Sequence, residues 1–139
     1  MGAWGGYKNG QIPLKAMTKI QGWYFEPSVA VRLNAAIAEA KRHKINITIQ
    51  EGYRPLGVKA DMFIKDEHKT STKSSNQWFQ YGRMQRGETP AAAYPGNSVH
   101  GWGQAADITP GRQNGLLVAI MKTHGFYFVI PSESWHIQG

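Results

Sequence analysis

The chain has no cysteine. That excludes a disulfide framework and any thiolate metal site, so a metal ion here has to be held by histidine and carboxylate. No apolar run approaches the roughly 18 residues of a membrane-spanning helix, and no membrane insertion is expected. Residues 1–10 carry Gly, Trp and Lys but no apolar core of a signal peptide. Acidic residues are few: nine Asp and Glu stand against sixteen Lys and Arg, a net charge of +7. A basic balance favours anionic partners. The cations are spread from Lys8 to Lys122 with no dense run, which suits solubility better than a nucleic-acid patch. There is no internal repeat or low-complexity tract. What remains is 139 residues, 41% of them hydrophobic, enough for one domain over 1–139 with a proper core.

The order of elements reads as α+β. The first twenty-odd residues look irregular, with Trp23-Tyr24-Phe25 packing on the core. Glu26-Pro27-Ser28 opens a helix, since proline at the first helical position gives up an N–H that has no partner there. Val29, Leu33, Ile37 and Ala40 form its apolar stripe, and it ends near His43-Lys44. Ile45 to Gln50 alternates apolar and polar, a half-buried strand that delivers Arg54 just beyond its end. A short helix is expected through Ala60, Met62 and Phe63. Residues 65–76 are almost wholly polar and read as a surface loop. Gln77 to Arg86 predicts a helix closed by Gly87, with Trp78, Tyr81 and Met84 on one face. Gln113 to His124 predicts another, with Leu116, Leu117, Ile120 and Met121 buried and Gly125 as its cap. Phe126 to Ile130 is aromatic and β-branched, hence a strand.

Two segments carry the chemistry. Ser98-Val99-His100-Gly101-Trp102-Gly103-Gln104-Ala105-Ala106-Asp107 places an imidazole and a carboxylate seven residues apart. Two glycines disfavour a regular helix there, at about 1 kcal/mol each, so a turn followed by a short buried strand is expected. Glu133-Ser134-Trp135-His136 supplies a second imidazole and a spare carboxylate. Side chains alternate along a strand, so His136 faces opposite to Trp135. Two imidazoles and one carboxylate with a further carboxylate nearby match the needs of a catalytic zinc site: three ligands, an open position for water, and a base. The other histidines read as structural. His43 and His124 sit in the last turns of helices, where a cation suits the dipole, and His68 lies in the polar loop.

The pattern S-x-H-x-x-G-x-A-x-D at 98–107, followed by E-x-W-H at 133–136, resembles the zinc D-Ala-D-Ala carboxypeptidase family (VanY-like), which also includes L-alanyl-D-glutamate peptidases. Glu51-Gly52-Tyr53-Arg54 is similar to that family's strand ending in Tyr-Arg. Asn9-Gly10-Gln11-Ile12-Pro13-Leu14 and Tyr94-Pro95-Gly96-Asn97-Ser98 resemble bacteriophage endolysin catalytic domains. The resemblance implies a small antiparallel sheet with flanking helices and a zinc site, as in D-Ala-D-Ala peptidases and the hedgehog-like fold. It implies one Zn2+ on His100, Asp107 and His136, Glu133 as catalytic base, Arg54 as stabiliser of charge on the substrate carbonyl, and Ser98 near the substrate. Relatives often have Gln five residues after the arginine; here that position is Lys59, a candidate clamp for a substrate carboxylate.

The implied activity is hydrolysis of a peptidoglycan stem-peptide bond, L-Ala-D-Glu on the phage-like N-terminal block. The alternatives are D-Ala-D-Ala carboxypeptidase action and a non-catalytic zinc-binding module, which would need neither Glu133 nor Arg54. The expected partner is bacterial peptidoglycan, with no nucleic acid, and the expected state is a monomer. A phage lysin without a signal peptide would stay in the host bacterial cytoplasm until release to the wall. No wall-binding domain is expected in the chain.

Overall fold

A three-stranded antiparallel sheet in the order β3-β4-β5 carries the motif residues: β3 is Thr48–Glu51, β4 Ala105–Thr109 and β5 His136–Gln138. The computed structural model describes residues 2–65, 75–89 and 91–139. The rest of the secondary structure is a hairpin of β1 (Thr18–Ile20) and β2 (Trp23–Phe25), and three helices: α1 (Pro27–Arg42), α2 (Gln77–Gln85) and α3 (Gly115–Thr123). Short 3-10 turns cover Leu14–Ala16, Lys59–Phe63 and Val99–Trp102. The α+β arrangement of a small antiparallel sheet flanked by helices is the one the sequence predicts. Among the described residues no helix is long and apolar enough to cross a membrane.

The sheet separates two environments. On one face Ile49 pairs with Ile108 and Ala106 with Ile137. These side chains join Leu33, Ala36 and Ala40 of α1 and Leu117, Ile120 and Met121 of α3 in a single core, with Phe25 and Phe126. Each fully buried Leu, Ile, Met or Phe contributes about 1.5–3 kcal/mol. α1 begins as expected: Pro27 takes the first helical position, and the Glu26 carboxylate accepts from the Ser28 N–H. α3 is tied to α1 at its end, where Arg32 donates to the His124 carbonyl at 3.0 Å and His124 meets Glu39 at 2.7 Å. His124 is thus structural, and His43 caps α1.

The other face of the sheet carries polar groups in a row. Glu51 pairs with Asp107, and Asp107 with His136. The β3–β4 register shifts between Ile49 and Glu51. One extra residue, Gln50, reverses the alternation, so Glu51 leaves the side of Ile49 and joins Asp107.

Several expectations are corrected. Residues 18–25 are not irregular but form the β1–β2 hairpin. Its two-residue turn has Gln21 at φ 53° and Gly22 at φ 83°, the doubly left-handed turn that matches strand twist. Phe126 to Ile130 is not a strand. Only Tyr127 bridges, to Gln138, because the Ile130 and Pro131 carbonyls turn away to accept from Arg112. Helix α2 buries Gln77, Phe79, Gln80 and Gly82. Trp78 and Tyr81 lie instead in an aromatic cluster with the exposed Tyr94. Leu116 is exposed; α3 buries Leu117, Ile120 and Met121. The polar loop of 65–76, with His68, lies largely outside the described residues.

Candidate metal centre

His100 sits in the 3-10 turn Val99–Trp102, which Gly103 closes in the left-handed region at φ 70°. Gly101 is required there by space: a Cβ would collide with the Asn9 and Gln77 side-chain amides. Those two amides hold the turn in place. Asn9 Nδ2 donates to the Ser98 carbonyl at 2.7 Å, and Gln77 Nε2 donates to Asn9 Oδ1 at 2.9 Å and to the Arg54 carbonyl at 3.1 Å. The Arg54 N–H in turn donates to the His100 carbonyl at 3.0 Å. One buried network therefore fixes His100 and Arg54 relative to each other. Neither Asn9 nor Gln77 is identifiable from sequence as a positioning group.

Asp107 and His136 meet because they are cross-strand partners on the same face of the sheet. His100 reaches them from the turn that precedes β4. His100 Nε2 lies 3.3 Å from Asp107 Oδ1, and His136 Nδ1 lies 3.4 Å from the same oxygen. One ligand atom from each residue falls within 4.8 Å of the others, and all three residues are buried.

The hydrogen-bond partners decide which nitrogens face inward. His100 Nδ1 is 2.9 Å from the Gly52 carbonyl oxygen, which can only accept, so Nδ1 carries the hydrogen and Nε2 presents a lone pair. His136 Nε2 is 2.8 Å from Gln138 Oε1, which leaves Nδ1 as the lone-pair atom. Two imidazole lone pairs thus converge on a carboxylate oxygen, and that oxygen, Asp107 Oδ1, is buried without a hydrogen-bond partner among the described residues. Three acceptors with no donor between them require a positive charge in their midst. The donor set fits a divalent metal of the zinc type, with outer hydrogen bonds already orienting both rings.

A proton is the other charge that fits. Burial opposes protonation of His136, but Asp107 and the Gln138 side chain outweigh it and hold the pKa above the ordinary imidazole value. Burial likewise opposes the charge on Asp107, yet His100, His136 and Arg54 keep its carboxyl well below the usual range.

A groove of about 640 Å³ opens over this group, a size that takes a small peptide segment. Its lining includes Arg54, Ser98, Glu133 and Trp135. Glu133 is half-buried, held in a tight turn where its N–H donates to the Ile130 carbonyl and its carbonyl accepts from His136. Burial pushes its carboxyl up, against the pull of His136, with Asp107 adding to the rise. All six residues singled out in the sequence therefore share one groove. Lys59 does not. It is exposed at the start of its 3-10 turn and lies outside the groove lining.

Sequence reasoning also missed Glu51. Its side chain is 1% exposed, and its Oε1 accepts from Arg54 Nε at 2.6 Å. Burial opposes the Arg54 charge, and Glu51, with Asp107 and Glu133 adding to it, more than offsets this, so the guanidinium stays charged. Because Glu51 takes Nε, the terminal nitrogens of Arg54 remain for the groove. The available signal was the Glu51-x-x-Arg54 spacing at the strand end.

A family model described as VanY, D-alanyl-D-alanine carboxypeptidase, matches residues 22–131. The chain belongs to the VanY family. The matched span contains Arg54, His100 and Asp107, while Glu133 and His136 follow just beyond it. No curated protein matches the chain by sequence. Among solved structures, the fold is similar to that of the vancomycin-resistance D,D-pentapeptidase VanY from a VanB-type cassette, a mutant determined in complex with Zn(II). The TM-score is 0.56 at 18% identity, over 88% of this chain and 76% of that one. It is also similar to the LD-carboxypeptidase LdcB, whose structure concerns peptidoglycan recognition. There the TM-score is 0.54 at 23% identity, over 87% of this chain and 61% of that one. At these identities the likeness establishes the shared VanY-type fold.

Proposed function

We propose that this VanY-family chain is a zinc-dependent peptidoglycan peptidase that hydrolyses the L-Ala-D-Glu bond of the stem peptide, as a bacteriophage endolysin does. The observation that carries the proposal is the orphaned Asp107 Oδ1 between two imidazole lone pairs, on a groove wall shared with Glu133 and Arg54. His100, Asp107 and His136 would hold the zinc. When bound there, zinc supplies a Lewis acid and lowers the pKa of a water toward ~7.

The chain's own residues then divide the work. Glu133 takes a proton from the attacking water as the new C–O bond forms at the peptide carbonyl. Its raised pKa brings it nearer neutrality, which suits a group that must both accept and return a proton. The Arg54 guanidinium, held by Glu51, offers fixed positive charge where negative charge develops on the carbonyl oxygen. Glu133 delivers its proton to the departing nitrogen as the C–N bond breaks. Ser98, buried at the groove edge, contacts the peptide, and Trp135 forms part of the wall.

The second reading is D-Ala-D-Ala carboxypeptidase action, favoured by the description of the matching family. A non-catalytic zinc module is disfavoured, because a structural site has no use for a base and a buried guanidinium in the same groove. Substituting Glu133→Ala is the test. The variant should keep its zinc and its fold yet lose peptidoglycan hydrolysis by about 10²–10⁴-fold, since base and acid roles go together. Hydrolysis at the parent rate would remove Glu133 from the mechanism.

A further inference from the structure

The groove carries a second polar cluster on α2. Gln80 and Arg83 stand one turn apart and line the same groove as Glu133 and the metal group. Gln80 is 5% exposed. Its Oε1 accepts from Arg83 at 3.0 Å, which fixes the orientation of the amide. Its Nε2 is then a buried donor without a hydrogen-bond partner among the described residues. Arg83 is poorly compensated. Its Nε is 3.9 Å from Glu88 Oε1, beyond hydrogen-bond distance, while the other Glu88 oxygen takes a 2.6 Å bond from Arg86. Among the described residues the remaining Arg83 contact is to the Glu88 carbonyl at 3.3 Å. An unpaired amide donor beside an under-neutralised guanidinium is a matched pair of donors for one planar anion. A neutral carbonyl would satisfy the amide but leave the charge unanswered. The small side chains of Ala91, Ala92 and Ala93 also line the groove.

We propose that Gln80 and Arg83 form a carboxylate subsite that selects peptides bearing a free carboxylate beside the bond to be cut. The proposal rests on the peptidase reading and deepens it. Two substrate groups have this chemistry: the α-carboxylate left free on a γ-linked glutamyl residue within the peptide, and a C-terminal carboxylate.

Binding separates the subsite from catalysis. The zinc-loaded full chain carrying Glu133→Gln, which blocks turnover, is titrated with L-Ala-γ-D-Glu-L-Lys, with its α-carboxamide analogue, and with its C-terminal amide. Amidation of the contacted carboxylate should weaken binding by about tenfold or more, the scale of a lost charge-assisted contact. Loss on α-amidation identifies the in-chain carboxylate, and loss on C-terminal amidation identifies the terminus. Adding Arg83→Gln should abolish the discrimination. Gln80→Glu, which keeps the Arg83 contact but replaces the amide donor with a negative charge, should abolish it too, and thermal melts confirm that both variants fold. Equal binding of all three peptides, or discrimination that survives both substitutions, overturns the proposal. A parent that binds with discrimination yet cuts nothing would overturn the peptidase reading alone.

Discussion

Glu51 gives the sharpest energetic test, because its buried ion pair with Arg54 links stability to turnover. The two side chains are 1% and 12% exposed, with a 2.6 Å contact. Glu51→Ala leaves a buried guanidinium without its hydrogen-bonded counter-charge, with only the more distant Asp107 and Glu133 charges remaining, and breaking such a pair costs about 3–5 kcal/mol. Glu51 Oε2 is itself unpartnered among the described residues, so its removal recovers some desolvation and favours the lower end. Glu51→Gln keeps an acceptor of the same shape and loses only the charge, a difference of about 1–2 kcal/mol between charge-assisted and neutral hydrogen bonds. An unfolding entropy of about 2.1 cal/mol/K per residue converts these figures at this chain length to about 10–17 °C for alanine and about 3–7 °C for glutamine. Circular dichroism melts of the zinc-loaded proteins read both. Turnover should fall as well. In the proposed mechanism Arg54 acts as charge develops, so a misaimed guanidinium would lower kcat by up to about 10²–10³-fold with little change in KM. A Glu51→Ala protein that melts within about 2 °C of the parent and turns over at the parent rate would refute the reasoning.

Two further outcomes follow from the metal group. His136→Ala should lose most of its zinc by elemental analysis while the parent carries about one ion, and full occupancy in the variant would remove His136 from the ligand set. Zinc affinity should be greatest above the pKa of His136, which lies above the ordinary imidazole value, and should fall about tenfold per pH unit below it as proton and metal compete for Nδ1. Chelator competition between pH 5 and pH 8 measures the slope, and a flat profile would remove His136 from the ligand set.

The parts of this site that were legible in the sequence are those whose position follows from strand geometry and spacing. Asp107 and His136 each lie on a strand that the apolar pattern marks, and alternation sets the face of each. Helix α1 announces itself through Pro27 and its stripe. Glu51 was hidden for a physical reason. Simple alternation from Ile45, Ile47 and Ile49 would place it on the core side, and only the register shift at Gln50 turns it toward Asp107. Asn9 and Gln77 were hidden because their roles depend on contacts 89 and 68 residues distant in the chain. Helix α2 misled because Trp78 and Tyr81 found a partner in Tyr94 outside the core, while Gly82 approaches the Met62 backbone too closely to bear a side chain. The run from Phe126 to Ile130 has strand composition, but Arg112 claims its last carbonyl.

The bond cut is the central claim, and mass spectrometry of peptidoglycan digested with the zinc-loaded chain tests it most directly. The account predicts fragments with new N-terminal D-Glu and intact stem-peptide ends. Release of free D-Ala alone, with every L-Ala-D-Glu bond preserved, would contradict it.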